Sequence, residues 1–283
     1  MRRYRYRLLN VFSRKGEPFS GNPLCVFEHG AGLSDDEMQA LARQFNLSET
    51  TFILPASGSA PRVRIFTPAF EMPFAGHPTL GTAHVVRSLQ DTGSELTLRM
   101  AVGDIPVSAQ GDRWTLQAPT ATVREPGLAR KDLACLLGIA EADLAGPALW
   151  VSAGNDQLLV PVASAEALLR CQPTIDHLRR FARVNDERSL VYAFTDPYAE
   201  RVQARLFFSA GAAVSEDPAT GSACANLGGY LLAQPHISPP FVRYVEQGQV
   251  LRRPSLLELH VNAAGRIHVT GAVTELGAGY VEF

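Results

Sequence analysis

Two stretches of this 283-residue chain match each other, and that match constrains the fold more than any other feature. Val63-Arg64-Ile65-Phe66 followed by Glu71-Met72-Pro73-Phe74-Ala75-Gly76-His77 aligns with Ala204-Arg205-Leu206-Phe207 followed by Glu216-Asp217-Pro218-Ala219-Thr220-Gly221-Ser222. Each copy reads as a strand, then Glu-x-Pro-x-x-Gly-(His/Ser), then a helix, which is how a duplicated unit shows itself in a sequence. A chain of this length has room for two domains of about 100–150 residues. Hydrophobic periodicity stops between Pro119 and Pro126, so we place the boundary there, with domains at 1–120 and 121–283. The final C-terminal strand is free to join the first domain, and the expected site is the cleft between the two.

The remaining pattern is of many short strands with few helices, which argues for an α+β fold. Alternation at Tyr4–Phe12 and an apolar run at Leu24–Phe27 read as strands. Ser34-Asp35-Asp36-Glu37 is a capping box, so a helix is expected from Asp35 to Phe45. After the conserved spacing of each repeat, Leu80, Ala83, Val86 and Leu89 form one apolar helical stripe, and Ala223, Leu227, Tyr230 and Leu231 form another. These stripes are core. Pro78 suits a first helical position, which makes His77 the expected N-cap and Ser222 its equivalent.

Two helix starts next to Gly76 and Gly221 offer backbone N–H donors and a positive dipole end to an anion. The dipole contributes about 0.3–1 kcal/mol, enough to orient a substrate but too little to move a proton. Side chains near these turns can do so: His77, Asp217 and Ser222 lie in or beside the repeats, and Glu49 sits between a capped helix and an apolar strand. Beneath apolar walls a carboxyl exchanges protons nearer neutral pH. The plainer readings are that Glu49 is a turn carboxylate, that His77 and Ser222 are caps only, and that Asp217 caps its own turn. Glu71 and Glu216 read as structural groups bonding turn N–H donors.

A formal charge of −2 makes nucleic acid and membrane surfaces poor partners and leaves a small anionic molecule as the expected ligand. Arg2, Arg3, Arg5 and Arg7 alternate with apolar residues as the wet face of a strand would. Cys25, Cys135, Cys171 and Cys224 are far apart in sequence, so neither a zinc site nor a disulfide framework is supported, and buried free thiols are expected. Nothing resembles a signal peptide or a membrane span, which places the protein in the cytoplasm.

The segments Gly21-Asn22-Pro23-Leu24, Ser48-Glu49-Thr50, Glu71 to Gly81, Glu216 to Ala223, and Glu246-Gln247-Gly248 with Arg253-Pro254-Ser255 together resemble the PhzF-like isomerase family of phenazine biosynthesis. The resemblance implies a diaminopimelate-epimerase-like fold, in which each domain is a curled mixed sheet around a central helix. It implies that Glu49 shuttles the proton, that Gly76, His77, Asp217, Gly221 and Ser222 bind the substrate, and that no metal or other cofactor takes part. Homodimers are also implied. Asn10 stands where the family more often has Asp, Cys25 replaces a typical Ala, and Phe208-Ser209 lacks the usual proline.

Four other readings stay open at this point. A two-base racemase of the same fold would need a thiol at each helix start, yet Phe74-Ala75-Gly76-His77 has none and Cys224 falls two residues beyond Ser222. A Ser–His–Asp hydrolase built from Ser222, His77 and Asp217 lacks a nucleophile elbow. Metal hydrolysis is disfavoured because His77 and His84 are seven residues apart on one helix, about 10 Å at 1.5 Å rise per residue. A catalytically silent binding protein is the last, although an anion binder gains nothing from Glu49.

Overall fold

The computed structural model describes residues 1–55, 60–91 and 93–283. The chain divides into two compact units, Met1–Gln117 with Thr270–Phe283 and Ala118–Val269.

The first unit contains β1 (Arg3–Val11), β2 (Asn22–Phe27), α1 (Asp35–Phe45), β3 (Glu49–Leu54), β4 (Arg62–Phe66), β5 (Glu71–Met72), α2 (Gly76–Gln90), β6 (Glu95–Met100), β7 (Gly103–Gln110) and β8 (Arg113–Gln117). The second contains β9 (Thr122–Arg124), α3 (Arg130–Leu137), β10 (Leu149–Ser152), β11 (Asp156–Pro161), α4 (Ala165–Arg170), α5 (Ile175–Phe181), β12 (Leu190–Phe194), β13 (Arg201–Ala210), β14 (Ala213–Asp217), α6 (Gly221–Leu232), β15 (Phe241–Gln247) and β16 (Ser255–Val261). The last strand, β17 (Ile267–Glu282), begins in the second unit and carries the chain into the first. The sequence pattern splits it into two pieces because Gly277, Ala278 and Gly279 interrupt the apolar alternation. Backbone pairing with β1, from Arg3↔Glu282 to Val11↔Val273, keeps it whole.

In the first unit β1 pairs with β17 and β2, and β2 runs parallel to β3. The ladder continues through β4, β6, β7 and β8, and β8 returns to β17. The sheet therefore curls until its ladder closes on itself through β17, with the two-residue β5 paired to β4 alone. Its interior is filled by α2, whose residues His77 to Ala83 are all buried, as a helix enclosed on every side requires. Gly81 permits the close approach: a Cβ there would come within 2.4 Å of Leu24 and 2.9 Å of Val11.

The second unit repeats these pairings. The parallel pair β11–β12 corresponds to β2–β3, the antiparallel pair β12–β13 to β3–β4, the hairpin β13–β14 to β4–β5, and the parallel pair β13–β15 to β4–β6. Helix α6 takes the place of α2 and is buried from Ala223 to Leu231. Each unit is thus a curled mixed sheet around a central helix, in an α+β fold. Among the described residues no helix is long and apolar enough to cross a membrane.

Three local expectations need correction. Helix α2 has Ala75 as its N-cap and α6 has Thr220, so His77 and Ser222 occupy the second helical position rather than the cap. The first helical bonds run from Thr79 N–H to the Ala75 carbonyl and from Cys224 N–H to the Thr220 carbonyl. Pro78 falls ahead of the first bonded N–H, where its missing donor costs nothing. Glu71 and Glu216 do not bond turn N–H groups. Each forms a two-pronged ion pair with the arginine of its own repeat: Arg64 Nε and Nη2 reach Glu71 at 2.7 and 2.6 Å, and Arg205 Nε and Nη2 reach Glu216 at 3.0 and 2.7 Å. Finally, Cys25, Cys171 and Cys224 are buried but Cys135 is exposed. By contrast the Ser34–Glu37 capping box forms as the sequence predicts, with both reciprocal bonds in place.

Candidate active site

In the first unit Glu49 opens β3 and is aligned with Leu24 of β2, while His77 lies at the start of the central helix. The two meet: Glu49 Oε2 lies 3.3 Å from His77 Nε2, and both side chains are largely shielded from solvent. The imidazole is held from its other side by a hydrogen bond to the backbone carbonyl of Pro23. Because Nε2 makes no hydrogen bond, that bond must come from Nδ1–H, which fixes the tautomer and turns the Nε2 lone pair toward the Glu49 carboxyl. Burial pushes the His77 ring down to about 3, so at neutral pH it is uncharged and its contact with Glu49 is not an ion pair.

This depressed value has a sign that can be measured. In the unfolded chain His77 titrates near 6.5, so between about pH 3 and 6.5 the unfolded state holds a proton that the folded state does not. Stability must fall as the pH drops through that window. We expect His77→Asn to lose less stability than wild type between pH 7.5 and pH 5 in urea titrations, by about 2 kcal/mol for 1.5 pH units below the unfolded value. Identical pH dependence in the two proteins would show that His77 does not carry this effect.

In the second unit the turn Asp217–Ser222 is held by a network whose partners are far apart in sequence. The Thr220 hydroxyl donates to Asp217 Oδ2 at 2.5 Å. Fully buried Gln247 donates from Nε2 to the Asp217 carbonyl at 2.8 Å and to Thr220 Oγ1 at 3.0 Å, and its Oε1 accepts from Thr220 N–H at 3.3 Å. Gly248, with φ +83°, is obligatory beside it, since a Cβ would meet the Arg253 carbonyl oxygen at 2.3 Å and that of Pro218 at 2.6 Å. The Glu246-Gln247-Gly248 and Arg253-Pro254-Ser255 motifs thus brace the turn. Ser222 Oγ accepts from Gln157 Nε2 at 3.1 Å, and Gln157 is held in turn by Asn226 at 2.8 Å. The sequence signal for Gln247 was its place in a quoted motif; Gln157 and Asn226 had none, because their partners are set by strand register.

Register also compares the two repeats residue by residue. Phe52 faces Arg64 across β3–β4, and Ala193 faces Arg205 across β12–β13, so the position equivalent to Glu49 is Leu190. Only the first repeat carries a carboxylate at this point. Cys224 is unsuited to act as a base, because complete burial raises its thiol far above the usual range. Gly76 and Gly221 open their helices, and neither N-cap residue, Ala75 or Thr220, makes a side-chain cap bond. Among the described residues no cluster of three or more His, Cys, Asp or Glu side chains could hold a metal ion.

With this geometry in view, comparison with known proteins assigns the chain. The sequence profile described as phenazine biosynthesis-like protein, PhzC-PhzF, matches residues 9–278. The chain belongs to the PhzC-PhzF family. It is 38% identical over 281 residues to an uncharacterized isomerase of Pasteurella multocida, covering 98% of this chain and 93% of the relative. It is 32% identical over 287 residues to the trans-2,3-dihydro-3-hydroxyanthranilate isomerase of Pseudomonas aeruginosa, covering 99% and 98%. A PhzF-family crystal structure from Bacillus anthracis superposes with a TM-score of 0.88 over 100% of both chains at 24% identity, a likeness of fold. The resemblance drawn from the motifs is therefore correct, and the protein is an enzyme of the isomerase class. Within the PhzC-PhzF frame, the Glu49–His77 pair and the braced Asp217–Ser222 turn are the chemical features that its two repeats do not share.

Proposed function

We propose that this protein isomerises a small carboxylated molecule, a cyclic amino or hydroxy acid in the first instance, by moving one proton between two carbons with Glu49 as the acid–base group. The observation that carries the reading is the contact between Glu49 Oε2 and the tautomer-fixed Nε2 of His77. A neutral imidazole held 3.3 Å from the carboxyl fixes where Glu49 stands without pairing with it as a cation. Once substrate arrives, Glu49 takes a proton from a carbon made acidic by a neighbouring unsaturated or carboxylated group, while the uncharged His77 holds its carboxyl in place. Glu49 then returns the proton at the second carbon. Positioned acid–base groups of this type contribute about 10²–10⁴ in rate.

The second unit's turn serves binding in this reading. Ser222 and the N–H groups following Gly221 suit an anionic group, Asp217 suits a polar substituent such as an amine or hydroxyl, and the helix start at Gly76 and His77 likewise offers backbone N–H donors. The absence of an equivalent carboxylate at Leu190 favours a single shuttling group over a symmetric two-base racemase. Ser222 as a hydrolytic nucleophile is disfavoured because its oxygen accepts from Gln157 instead of donating to a base.

The test is proton NMR in D₂O with dihydro-hydroxyanthranilate and a panel of cyclic amino and hydroxy acids. Isomerisation with deuterium appearing at the receiving carbon is the expected result. Binding of a panel member without exchange would instead identify a protein that recognises the substrate class but performs no chemistry. For the binding turn, Asp217→Asn is expected to raise KM by about tenfold or more, the loss of one charge-assisted hydrogen bond, with kcat less affected. A kcat loss equal to that of a Glu49 variant would move Asp217 into the proton path.

A further inference from the structure

Away from these residues, one nucleophile lies at the surface of the second unit. Helices α3 and α5 pack together, and they bring Cys135 Sγ to 3.4 Å from Nε2 of His177 and 3.9 Å from Nδ1. Cys135 is exposed and His177 half-buried, so the sulfur is open to solvent while the imidazole is held against it. The other three cysteines differ in every respect. Cys25 and Cys224 are completely buried, their thiols raised far above the usual range by desolvation, and Cys171 is buried and pushed up to about 11. A buried, protonated thiol is neither a nucleophile nor accessible to a reagent.

We propose that Cys135 and His177 form a reactive thiol–imidazole pair that undergoes exchange with small external disulfides, making Cys135 a site of reversible S-thiolation. The His177 imidazole accepts the Cys135 proton, and the resulting thiolate attacks one sulfur of R–S–S–R. A Cys135–S–S–R bond forms, the original S–S bond breaks, and the departing R–S⁻ takes the proton from the imidazolium. Cys135 is oxidised and half of the external disulfide is reduced, so electrons and protons balance. The product is a mixed disulfide and not an internal bridge, because the three remaining thiols are enclosed in the cores.

The surrounding charges make His177 the deciding group. Cys135 lies in the last turn of α3, where the helix carbonyls oppose a thiolate. One turn earlier on the same helix stand Lys131 and Asp132, and Asp132 is engaged with the Ala129 N–H at 3.2 Å. Helix α5 adds Asp176 beside His177, with Arg179 and Arg180 beyond it; Arg179 is occupied by the Gly211 carbonyl at 2.8 Å and Arg180 lies over Phe181.

The experiment treats the folded protein with dithiobis-nitrobenzoate and, separately, with glutathione disulfide followed by intact mass measurement. One thiol per chain is expected to react quickly, with a mass gain of one glutathione that a dithiol reductant removes. Cys135→Ser should abolish this phase. His177→Asn should slow it by about three- to tenfold at pH 7, with the rates converging by pH 9, where a free thiol ionises unaided. His177→Gln serves as a second variant of different shape. A fast phase that survives in Cys135→Ser would assign the reactivity to another cysteine, and a rate unchanged at pH 7 in both His177 variants would remove the imidazole from the chemistry. Either result overturns the proposal.

Discussion

Glu49→Gln is expected to lower kcat by at least about 10²–10⁴-fold while leaving KM within a few-fold of wild type. Gln keeps the size and most of the hydrogen-bonding capacity of Glu, so the space beside His77 stays filled. On the proposed function, what is lost is a group that can accept a proton from carbon and release it again. Glutamine's amide would also place either a donor or an acceptor against His77 Nε2 without being able to exchange between the two roles. Folding should hardly notice, because the side chain lies at the edge of the core with 15% of its surface exposed. The measurement is steady-state turnover of a substrate found by the D₂O screen, with wild type beside the variant and a urea titration to confirm equal stability. Near-normal turnover in Glu49→Gln would remove it from the proton path. A parallel loss of stability would show that the residue had been assigned a catalytic role for a structural reason.

The second large effect concerns the arginine–glutamate pair that each repeat carries, since sequence makes the two pairs equivalent and the structure does not. Arg205 and Glu216 expose only 9% and 8% of their side chains, and Arg205 Nη1 also donates to the carbonyls of Leu168, Leu169 and Cys171 at 3.0, 3.3 and 2.9 Å. These oxygens lie at the C-terminal end of α4, where helical N–H donors run out; the Leu168 carbonyl also accepts from Cys171 N–H, at 3.2 Å. Arg205→Ala would leave a buried carboxylate without its cation and take the guanidinium donor from the Leu169 and Cys171 carbonyls, while Leu168 keeps its bond from Cys171 N–H. The expected cost is about 3–5 kcal/mol, a large share of the 5–15 kcal/mol that holds a typical domain together. Arg64 has Glu71 at 38% and Asp35 at 81% side-chain exposure as its partners, and Arg64→Ala should cost about 1 kcal/mol or less. Equilibrium urea unfolding of both variants decides the matter: equal losses would mean that burial does not set the worth of these pairs.

This contrast also shows where the sequence stopped being informative. The two Arg…Glu motifs could be aligned by eye, but strand pairing in the hairpins β4–β5 and β13–β14 turned each glutamate to its own arginine rather than to the turn. The helix starts shifted for a similarly local reason. A proline can occupy any position ahead of the first bonded N–H, so Pro78 alone did not say whether His77 was the cap or already inside the helix. Moving the cap back to Ala75 and Thr220 leaves His77 and Ser222 with side chains free for other partners, and those partners, Glu49 and Gln157, come from strands far away in sequence.

The sequence by itself determined the duplication, the α+β class, the central helices and the identity of Glu49, His77, Asp217 and Ser222 as the residues to examine, because hydrophobic periodicity, capping chemistry and motif spacing are local properties of the chain. Tertiary structure alone decided that His77 is uncharged with its Nδ1–H on Pro23, that its lone pair faces Glu49, that Leu190 stands where a second carboxylate would be needed, and that Cys135 is outside while its three counterparts are sealed. Those are matters of burial and of register between strands, and both depend on which distant segments meet. A side chain's chemistry is written in its own residue, but its charge state and its partner are set by what the fold packs around it.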